Sequence, residues 1–583
     1  METYTRSTNC STPSRFRPVR KRYWLLGFLS VCIVSLFPLF LIITNGVNVP
    51  FLDEWVLLTL TGGNATFDTF WAPHNEHRQL FPNLTFHILV KLTRWNSVSI
   101  MIVSWVGITA TALFLFNCFA KLLNDSAPRL WVATVTFSIL LFFSPVQREN
   151  WLWAYQLAFF FVTIGVIPSL FSVTFTTISF SKRLTLALAF AVFASFSSAQ
   201  GLMVWPALLV ALLLTDDPKR RKLFGLFIVF AAMAIVCLVY FTNYHAPAYG
   251  HLELDKALRA PQTPILYFLS LIGDPLIFWV PGAQNANNLR TCWSIIAGCL
   301  LLLLLSHFSY LNIREGRKEK AAPWIGLAVF SLAFCGITTY GRGDFGIELG
   351  VLFSRYTTHE LLLSVAVIAL GYLALPGCGE VPRQLRLICF SVFLSCIGIL
   401  IALGYADGFY NAPSENQSRR QAKELLPFLK YFDPRTDGDS TGPLYVLLQL
   451  PNIKVYDLWY KTYLERYINA VENAQFVDSY SGLYGRCSVP VIEVAPGQAM
   501  TISGEVHSPS GISPEFVFLR EQGKDTFVSA AQLHKKWIDG YDVIYNWDAT
   551  LASQLIQDRK HELEMWIYDK TSNAFLKVEQ RYW

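Results

Sequence analysis

Residues 24–43 read WLLGFLSVCIVSLFPLFLII, an almost wholly apolar stretch. The tail before it is basic and contains Arg15, Arg17, Arg20, Lys21 and Arg22. About 20 apolar residues in a helix are long enough to cross the hydrocarbon core of a bilayer, and basic flanks remain on the cytoplasmic side. The stretch has no A-x-A-like cleavage site and more apolar runs follow it, so we expect an uncleaved first span behind a cytoplasmic tail, residues 1–22.

Apolar runs of this kind recur as far as residue 404 and predict a transmembrane domain over 23–405. They indicate about eleven spans, near residues 24–43, 99–120, 130–144, 157–177, 184–196, 202–214, 223–242, 292–313, 324–340, 361–375 and 387–404. The stretch 263–281 is not counted because it contains Asp274-Pro275, and we expect it to be interfacial or re-entrant. Lys and Arg residues then fall in alternate loops, which places the residues after 405 outside the cytoplasm.

The composition agrees with a membrane protein. Of 583 residues, 53% are hydrophobic and 15% are charged, whereas an average soluble domain has about 25% charged residues. The net charge of +6 is small, and the basic residues stand at the ends of apolar runs, so no nucleic-acid partner is expected. The pattern GxxxxGK[ST] is absent from the sequence, which argues against ATP hydrolysis at a P-loop.

Residues 406–583 form a predicted extracytoplasmic domain, helical at first and then β-sandwich-like. Apolar and polar residues alternate with period two at 499–506, 515–519, 541–547 and 563–568, with turn formers between them, which predicts short antiparallel strands. A helix is expected at 454–476. Cys487 is the only cysteine of this domain, so an internal disulfide is excluded. This favours a protein of the bacterial inner (cytoplasmic) membrane over a disulfide-rich secreted one.

The predicted first outer loop, residues 45–98, carries two groups of chemistry-bearing residues. Asp53 and Glu54 directly follow the first span, in the motif FLDEW. The motif HNEHR follows Pro73 and contains His74, Glu76, His77 and Arg78. Such a combination of acids with His and Arg suits an anionic lipid headgroup held beside a base.

Pro73 is well placed as the first residue of a helix, on which His74, His77 and Arg78 would share a face. The alternative interpretation is that Asp53 and Glu54 cap an amphipathic helix and that the HNEHR run is a solvated surface. A zinc site at His74 and His77 would need further ligands that the sequence does not reveal.

Two later outer loops supply further candidates for binding an anion. Arg148 lies in the run QRENWLW, which is also typical of an aromatic belt at the membrane interface. Arg342, Arg355 and Tyr356 lie in the loop before the predicted span 361–375. Guanidinium groups make bidentate contacts with phosphate oxygens, although a structural ion pair with an acid is the alternative for either arginine.

The motifs FLDEW, NEHR and SRY, at residues 51–55, 75–78 and 354–356, together with the short spans around 198–206, resemble the GT-C glycosyltransferases of bacteria. The resemblance covers about residues 20–405. It implies a GT-C-like fold and sugar transfer from a polyprenyl-phosphate-linked donor to a glycan or lipid acceptor at the outer face of the membrane. The tail resembles accessory β-sandwich domains of such enzymes.

In that family a carboxylate of the first outer loop acts as base or organises the acceptor, which implies this role for Asp53 or Glu54, with Glu76 as a further candidate. Arg78, Arg342 and Arg355 would stabilise the leaving phosphate. The resemblance does not decide between the acids, and it leaves the need for a divalent metal cofactor open.

The main alternative is a flippase or transporter for lipid-linked glycan, which would use charged residues deep within the spans and related halves. The sequence shows neither of these features. A glycan polymerase or ligase uses the same class of donor, and the sequence does not separate it from simple transfer. A structural or sensory role is disfavoured by the clustered acid, His and Arg residues of the first outer loop.

Overall fold

The computed structural model describes most of the helical region and the strands of the tail. The described residues are 20–54, 57, 66–93, 95–123, 127–244, 259–277, 286–343, 346–347, 354–376, 381–431, 474–481, 483–487, 491–492, 500–509, 512–522, 527–539, 542–551 and 561–580.

The chain divides into two compact units. The helical unit contains Met1–Gly46, Thr66–Phe86 and Val98–Pro413, and the sandwich unit contains Val47–Ala65, His87–Ser97 and Ser414–Trp583. Parts of the predicted first outer loop therefore group with the tail, whereas the sequence predicts that the whole loop belongs to the domain 23–405. The difference arises from contacts between distant residues, such as that of Phe51 with Arg419, which no local pattern encodes.

The helices follow the apolar runs of the sequence. They are α1 (Lys21–Asn45), α2 (Phe67–Trp71), α3 (Leu80–Thr93), α4 (Ser97–Leu122), α5 (Pro128–Phe142), α6 (Arg148–Leu152), α7 (Leu157–Ser172), α8 (Phe180–Ser195), α9 (Val204–Leu214), α10 (Lys219–Phe241), α11 (Gln262–Gly273), α12 (Ala286–Arg314), α13 (Lys318–Arg342), α14 (Thr357–Ala374), α15 (Arg383–Glu415) and α16 (Gln417–Leu425).

Among the described residues, nine helical segments are long and apolar enough to cross a membrane. They are Lys21–Asn45, Ser97–Leu122, Pro128–Leu152, Ala154–Ser172, Lys219–Phe241, Leu289–Arg314, Lys318–Arg342, Ser354–Ala374 and Arg383–Leu425. The chain is therefore a polytopic helical membrane protein, which confirms that part of the predicted fold class. The number of about eleven spans stays a prediction.

The predicted short spans 184–196 and 202–214 correspond to α8 and to the shorter apolar segment Ala199–Leu214. The corner between them depends on Gly201, because a Cβ atom there would lie 1.8 Å from the carbonyl oxygen of Ala194. The stretch predicted to be interfacial contains α11, which has only 12 residues and ends in the 3-10 turn Asp274–Leu276. A helix of 12 residues is too short to cross the bilayer alone.

Helix α14 lies at the centre of the helical unit. Every one of its residues is buried, and its neighbours include α5, α12 and α13. From Leu361 onward the helix is almost wholly apolar on every side, which is typical of such a central position. Its N-terminal end, which follows the 3-10 turn Ser354–Tyr356, carries polar side chains into the interior of the unit.

The tail forms two sheets. The strands are β1 (Gln475–Val477), β2 (Tyr484–Cys487), β3 (Val491–Ile492), β4 (Met500–Pro509), β5 (Phe516–Glu521), β6 (Phe527–Gln532), β7 (His534–Asp539), β8 (Asp542–Leu551), β9 (His561–Asp569), β10 (Ala574–Lys577) and β11 (Glu579–Gln580). One sheet has the order β1-β10-β9-β5-β6 with β3 also paired to β9, and the other has the order β11-β2-β4-β8-β7.

The two sheets enclose a common apolar core, to which Ile502 and Trp547 contribute from one sheet and Val517 and Ile567 from the other. The four predicted strands are confirmed as β4, β5, β8 and β9. Most pairs are antiparallel, but β1 pairs with β10 and β11 pairs with β2 in parallel. Most of the predicted helix 454–476 lies outside the described residues, and its end was predicted wrongly, because Gln475–Val477 is a strand.

Candidate functional site

The HNEHR motif forms a tight turn, so the prediction that a helix begins at Pro73 is wrong. The backbones of His74 and His77 bond each other in both directions, at 2.8 and 2.9 Å. Between them Asn75 adopts a left-handed conformation with φ of 49°, which asparagine tolerates better than most residues. Because the turn replaces a helix, His74 points to the ring of Tyr155, with centroids 5.7 Å apart.

The turn presents Glu76 to Arg342 at the end of α13. A carboxylate oxygen of Glu76 lies 2.5 Å from Arg342 Nη2 and 3.9 Å from His77 Nε2. Burial alone raises the pKa of the Glu76 carboxyl, but His77 and Arg342 outweigh it, so that this pKa is lowered. Glu76 is therefore ionised at neutral pH and suited to hold Arg342 in place.

Arg78 ties the turn to the end of α10. Its guanidinium donates to the carbonyl oxygens of Tyr240 (2.5 Å), Trp71 (2.8 Å) and Thr242, and its face lies over the Trp71 ring. Arg78 is only 2% exposed. Three backbone acceptors and this burial make Arg78 a structural anchor of the motif in the described geometry.

A second ion pair joins Arg355 and Glu149. Their side chains approach to 3.2 Å, and the backbone N–H of Arg355 donates to the same carboxylate. Asn150 donates to the Arg355 carbonyl at 2.8 Å and to Thr358 Oγ1 at 2.6 Å. Thr358 in turn donates to Gln147. The two outer segments predicted from sequence, QREN and SRY, are therefore parts of one hydrogen-bonded network.

Tyr356 and Tyr267 lie near the two ion pairs. Arg342 interacts with the Tyr356 hydroxyl and is electrostatically coupled to Arg355. Tyr267, on α11, interacts electrostatically with Tyr356, Arg342 and Arg355. The structure thus brings Glu76 and His77 together with Arg342, Arg355 and Tyr356, although at least 265 positions of the sequence separate the two groups. We call these five residues the arginine cluster.

Exposure distinguishes the arginines of the helical unit. In the pair Arg342–Glu76 the side chains are 26% and 21% exposed, and in the pair Arg355–Glu149 they are 26% and 14% exposed. Arg148, also predicted, pairs with Asp407 at 3.5 Å and is half-buried. These three guanidinium groups remain accessible enough to meet a ligand, in contrast to Arg78.

A deeper ion pair was missed in the sequence. Arg290 makes a bidentate contact with Asp274 at 2.8 and 2.9 Å, and Ser294 also contacts this carboxylate. Glu360, on α14, is almost fully buried and interacts electrostatically with both Asp274 and Arg290. Charged residues within otherwise apolar stretches could have indicated this pair. In the sequence analysis, Asp274 was used only as a reason not to count 263–281 as a membrane span.

The arginine cluster lies at one end of the helical unit. The opposite helix ends are marked by the ion pairs Lys318–Asp216 and Arg183–Asp217. Lys318 and Arg342 begin and end α13, and 25 residues at about 1.5 Å each separate them by about 36 Å. The cluster and these basic residues therefore lie at opposite ends of the helices.

Asp53 and Glu54 belong to the sandwich unit. Glu54 is 1% exposed and accepts a hydrogen bond of 3.0 Å from Ser97 Oγ. Asp53 is only half-buried. Between these neighbours, Asp53 has the more accessible carboxylate, and Glu54 has the geometry of a structural residue.

Within the described residues, no group of three His, Cys, Asp or Glu side chains is arranged to hold a metal ion. No protein-family model matches the chain, and no curated protein is significantly similar to it in sequence.

Proposed function

We propose that the protein is a GT-C-like glycosyltransferase that moves a sugar from a polyprenyl-phosphate-linked donor to an acceptor at the outer face of the membrane. The observation that carries the proposal is the pair of half-buried guanidinium groups, Arg342 and Arg355, each fixed by its own carboxylate. Planar guanidinium forks bind phosphate oxygens bidentately, and groups held in advance lose little order when the ligand arrives.

The distribution of charge supports placement at the outer face. Lys and Arg flank the ends of membrane helices mainly on the cytoplasmic side. Lys219, Arg220, Arg221 and Lys222 begin α10, and Lys318 begins α13 at the end opposite to Arg342. The arginine cluster then faces the extracytoplasmic side, where polyprenyl-linked sugars would be used without a nucleotide.

The reaction needs one proton acceptor and stabilisation of one leaving group. The acceptor oxygen forms a bond to the anomeric carbon, and the bond from that carbon to the phosphate oxygen breaks with its electron pair remaining on the phosphate. The acceptor proton passes to a carboxylate, for which we propose Asp53. Glu76 is the weaker candidate, because its lowered pKa and its ion pair with Arg342 make it a poor base.

The second candidate function is a flippase for the same class of lipid, and the buried pair Asp274–Arg290 with Glu360 favours it. Ionisable groups in the interior of a helical membrane protein often line a path for substrate or ions. The two functions share a polyprenyl-phosphate ligand, but only the glycosyltransferase forms a new glycosidic bond.

The test is transfer of sugar from polyprenyl-phosphate donors by purified full-length protein. We expect Asp53→Asn to lower kcat by a factor of about 10²–10⁴, and Arg355→Ala to lower it by about 10²–10³. The matched control is Arg314→Ala, since Arg314 is an exposed arginine at the far end of α12. Movement of intact lipid-linked glycan across vesicles without bond formation would replace the proposal by the flippase.

A further inference from the structure

The acidic motif of the first outer loop is held on its C-terminal side by the start of α4. Ser97 Oγ donates to the buried Glu54 carboxylate at 3.0 Å. The backbone N–H of Ser97 donates to Asn48 Oδ1 at 2.9 Å. Residues on both sides of Asp53 are therefore fixed to the same position of the chain.

The backbone within this motif is strained. Leu52, immediately before Asp53, has φ of 46°, and Trp95, two residues before Ser97, has φ of 57°. Left-handed conformations are genuine outliers for bulky side chains, and such strain persists only where surrounding contacts enforce it. Leu52 and Trp95 lie in the two chain segments that the Ser97 contacts join.

Arg419 supplies the enforcing contact on the other side of Leu52. Its guanidinium carbon lies 4.0 Å from the centroid of the Phe51 ring. Arg419 is 2% exposed, and a cation over an aromatic face interacts most strongly when water is excluded. Phe51 and Glu54 are thus both anchored, with the strained Leu52 and the half-buried Asp53 between them.

Arg419 is itself held by the β-sandwich through α16. Gln421, on this helix, donates to Gln532 of β6 at 2.5 Å. Phe428, in the 3-10 turn that follows α16, packs on Phe518 and Tyr568, with ring centroids 5.0 and 4.8 Å apart. Contacts therefore run continuously from the outer face of one sheet to Phe51.

We infer that Arg419 is a positioning residue: by clamping Phe51 it holds Leu52 in its left-handed conformation and fixes the Asp53 carboxylate for proton transfer. The inference rests on the proposed function, in which Asp53 is the base. It gives the tail domain a specific role, which is to anchor the acidic motif of the first outer loop.

The experiment compares Arg419→Ala and Arg419→Lys with Arg420→Ala, a matched control because Arg420 is the exposed neighbour on the same helix. Full-length protein is assayed for amide hydrogen exchange at 48–54 and for sugar transfer. We expect Arg419→Ala to accelerate exchange there by about tenfold or more and to lower kcat by up to about 10²-fold with donor KM unchanged. Arg419→Lys keeps the charge without the planar stacking and should be intermediate.

A rescue variant separates positioning from general damage. Glycine adopts positive φ without a steric penalty. With Leu52→Gly, position 52 should therefore keep its left-handed conformation more readily when the contact between Arg419 and Phe51 is lost. We expect the double change Arg419→Ala with Leu52→Gly to recover about tenfold of the lost kcat. A merely structural role for Arg419 predicts no recovery.

Unchanged hydrogen exchange at 48–54 in Arg419→Ala would overturn the inference. It would also be overturned if Arg419→Ala exchanged faster there but kept the kcat of wild type, in an assay in which Asp53→Asn is inactive. If Arg419→Ala does not fold, Arg419→Lys and Phe51→Leu supply the same two readouts. If wild type and all variants transfer no sugar, the proposed function fails, and exchange alone then decides whether Arg419 holds the motif.

Discussion

The helical unit and the sandwich unit bury different kinds of side chain. The core between the two sheets consists of apolar residues, and the charged group Arg520, Glu564 and Lys577 lies on the opposite face of its sheet. The interior of the helical unit instead encloses ion pairs and hydrogen-bonded polar residues, such as Asp274 with Arg290 and Gln147 with Thr358.

The solvent explains this contrast. In water, burial of apolar area drives the two sheets together. Lipid tails are as apolar as leucine, so helices in a membrane associate through close packing of small residues and through polar contacts. In α12 a Cβ atom on Gly298 would lie 2.1 Å from the Leu269 carbonyl oxygen. Polar residues and glycines therefore determine packing in one unit, whereas apolar area does so in the other.

The largest expected effect breaks the buried pair of the helical unit. Asp274→Ala leaves Arg290 charged and without its bidentate partner, and removing one member of a buried pair costs about 3–5 kcal/mol. Thermal unfolding of the purified protein in detergent measures the loss. The matched control replaces both residues by leucine and should come within about 1 kcal/mol of wild type; a neutral Asp274→Ala would contradict a structural role for the pair.

The corresponding change in the sandwich unit removes apolar area. Ile502 is fully buried in the core, and Ile502→Ala should lower the free energy of unfolding of the sandwich by about 2–5 kcal/mol. Hydrogen exchange in β4 and β8 reports this unit separately from the helices. Ile399→Ala on α15 is the control, since this side chain is exposed. If Ile399→Ala lowered the free energy of unfolding by the same amount, the contrast between an apolar core in the sandwich unit and polar packing in the helical unit would fail.

A smaller effect tests the close approach of helices. Gly298→Ala forces a methyl group against backbone, and we expect overpacking to cost about 1–3 kcal/mol. Gly336, in α13, has no atom within 4 Å of an added Cβ, so Gly336→Ala should be neutral or slightly stabilising, because alanine favours helix. Equal melting temperatures for both variants would contradict tight packing at Gly298.

The smallest effect concerns the charges outside the sandwich core. Burial raises the pKa of the Glu564 carboxyl, but hydrogen bonds from Lys577 and Arg520 outweigh it and lower this pKa. A carboxyl with a lowered pKa stabilises the folded state above its unfolded pKa, near 4.5, and this stability is lost as the pH falls through the folded pKa.

Glu564→Gln should therefore reduce the loss of sandwich stability below about pH 4.5, as measured by urea unfolding at a series of pH values. Lys570→Ala is its control, because the pair Lys570–Glu515 is 70% and 52% exposed and contributes less than about 1 kcal/mol. If Glu564→Gln lost stability with falling pH as wild type does, the lowered pKa of Glu564 would not be a source of this pH dependence.

Much of the helical unit could be predicted from apolar runs, and four strands from alternation. The shortest strands were missed because β3 and β11 have only two residues each, too few to show a period. The helix at Pro73 was predicted wrongly because spacing alone cannot reveal a turn closed by mutual backbone bonds. Within the site, Arg342, Arg355, Tyr356 and Glu76 were each predicted individually, whereas Glu149 was not, and the pairings Arg342–Glu76 and Arg355–Glu149 follow only from the tertiary contacts.

The sequence by itself determined that this is a polytopic helical membrane protein with a β-rich tail, since length, hydropathy and period two are local properties. Only the tertiary structure decided which charges meet. Glu76 and Arg342 are 266 positions apart, and Phe51 meets Arg419 across most of the chain. Ion pairs and cation–π contacts depend on distances of a few ångströms, which packing sets and no local pattern records.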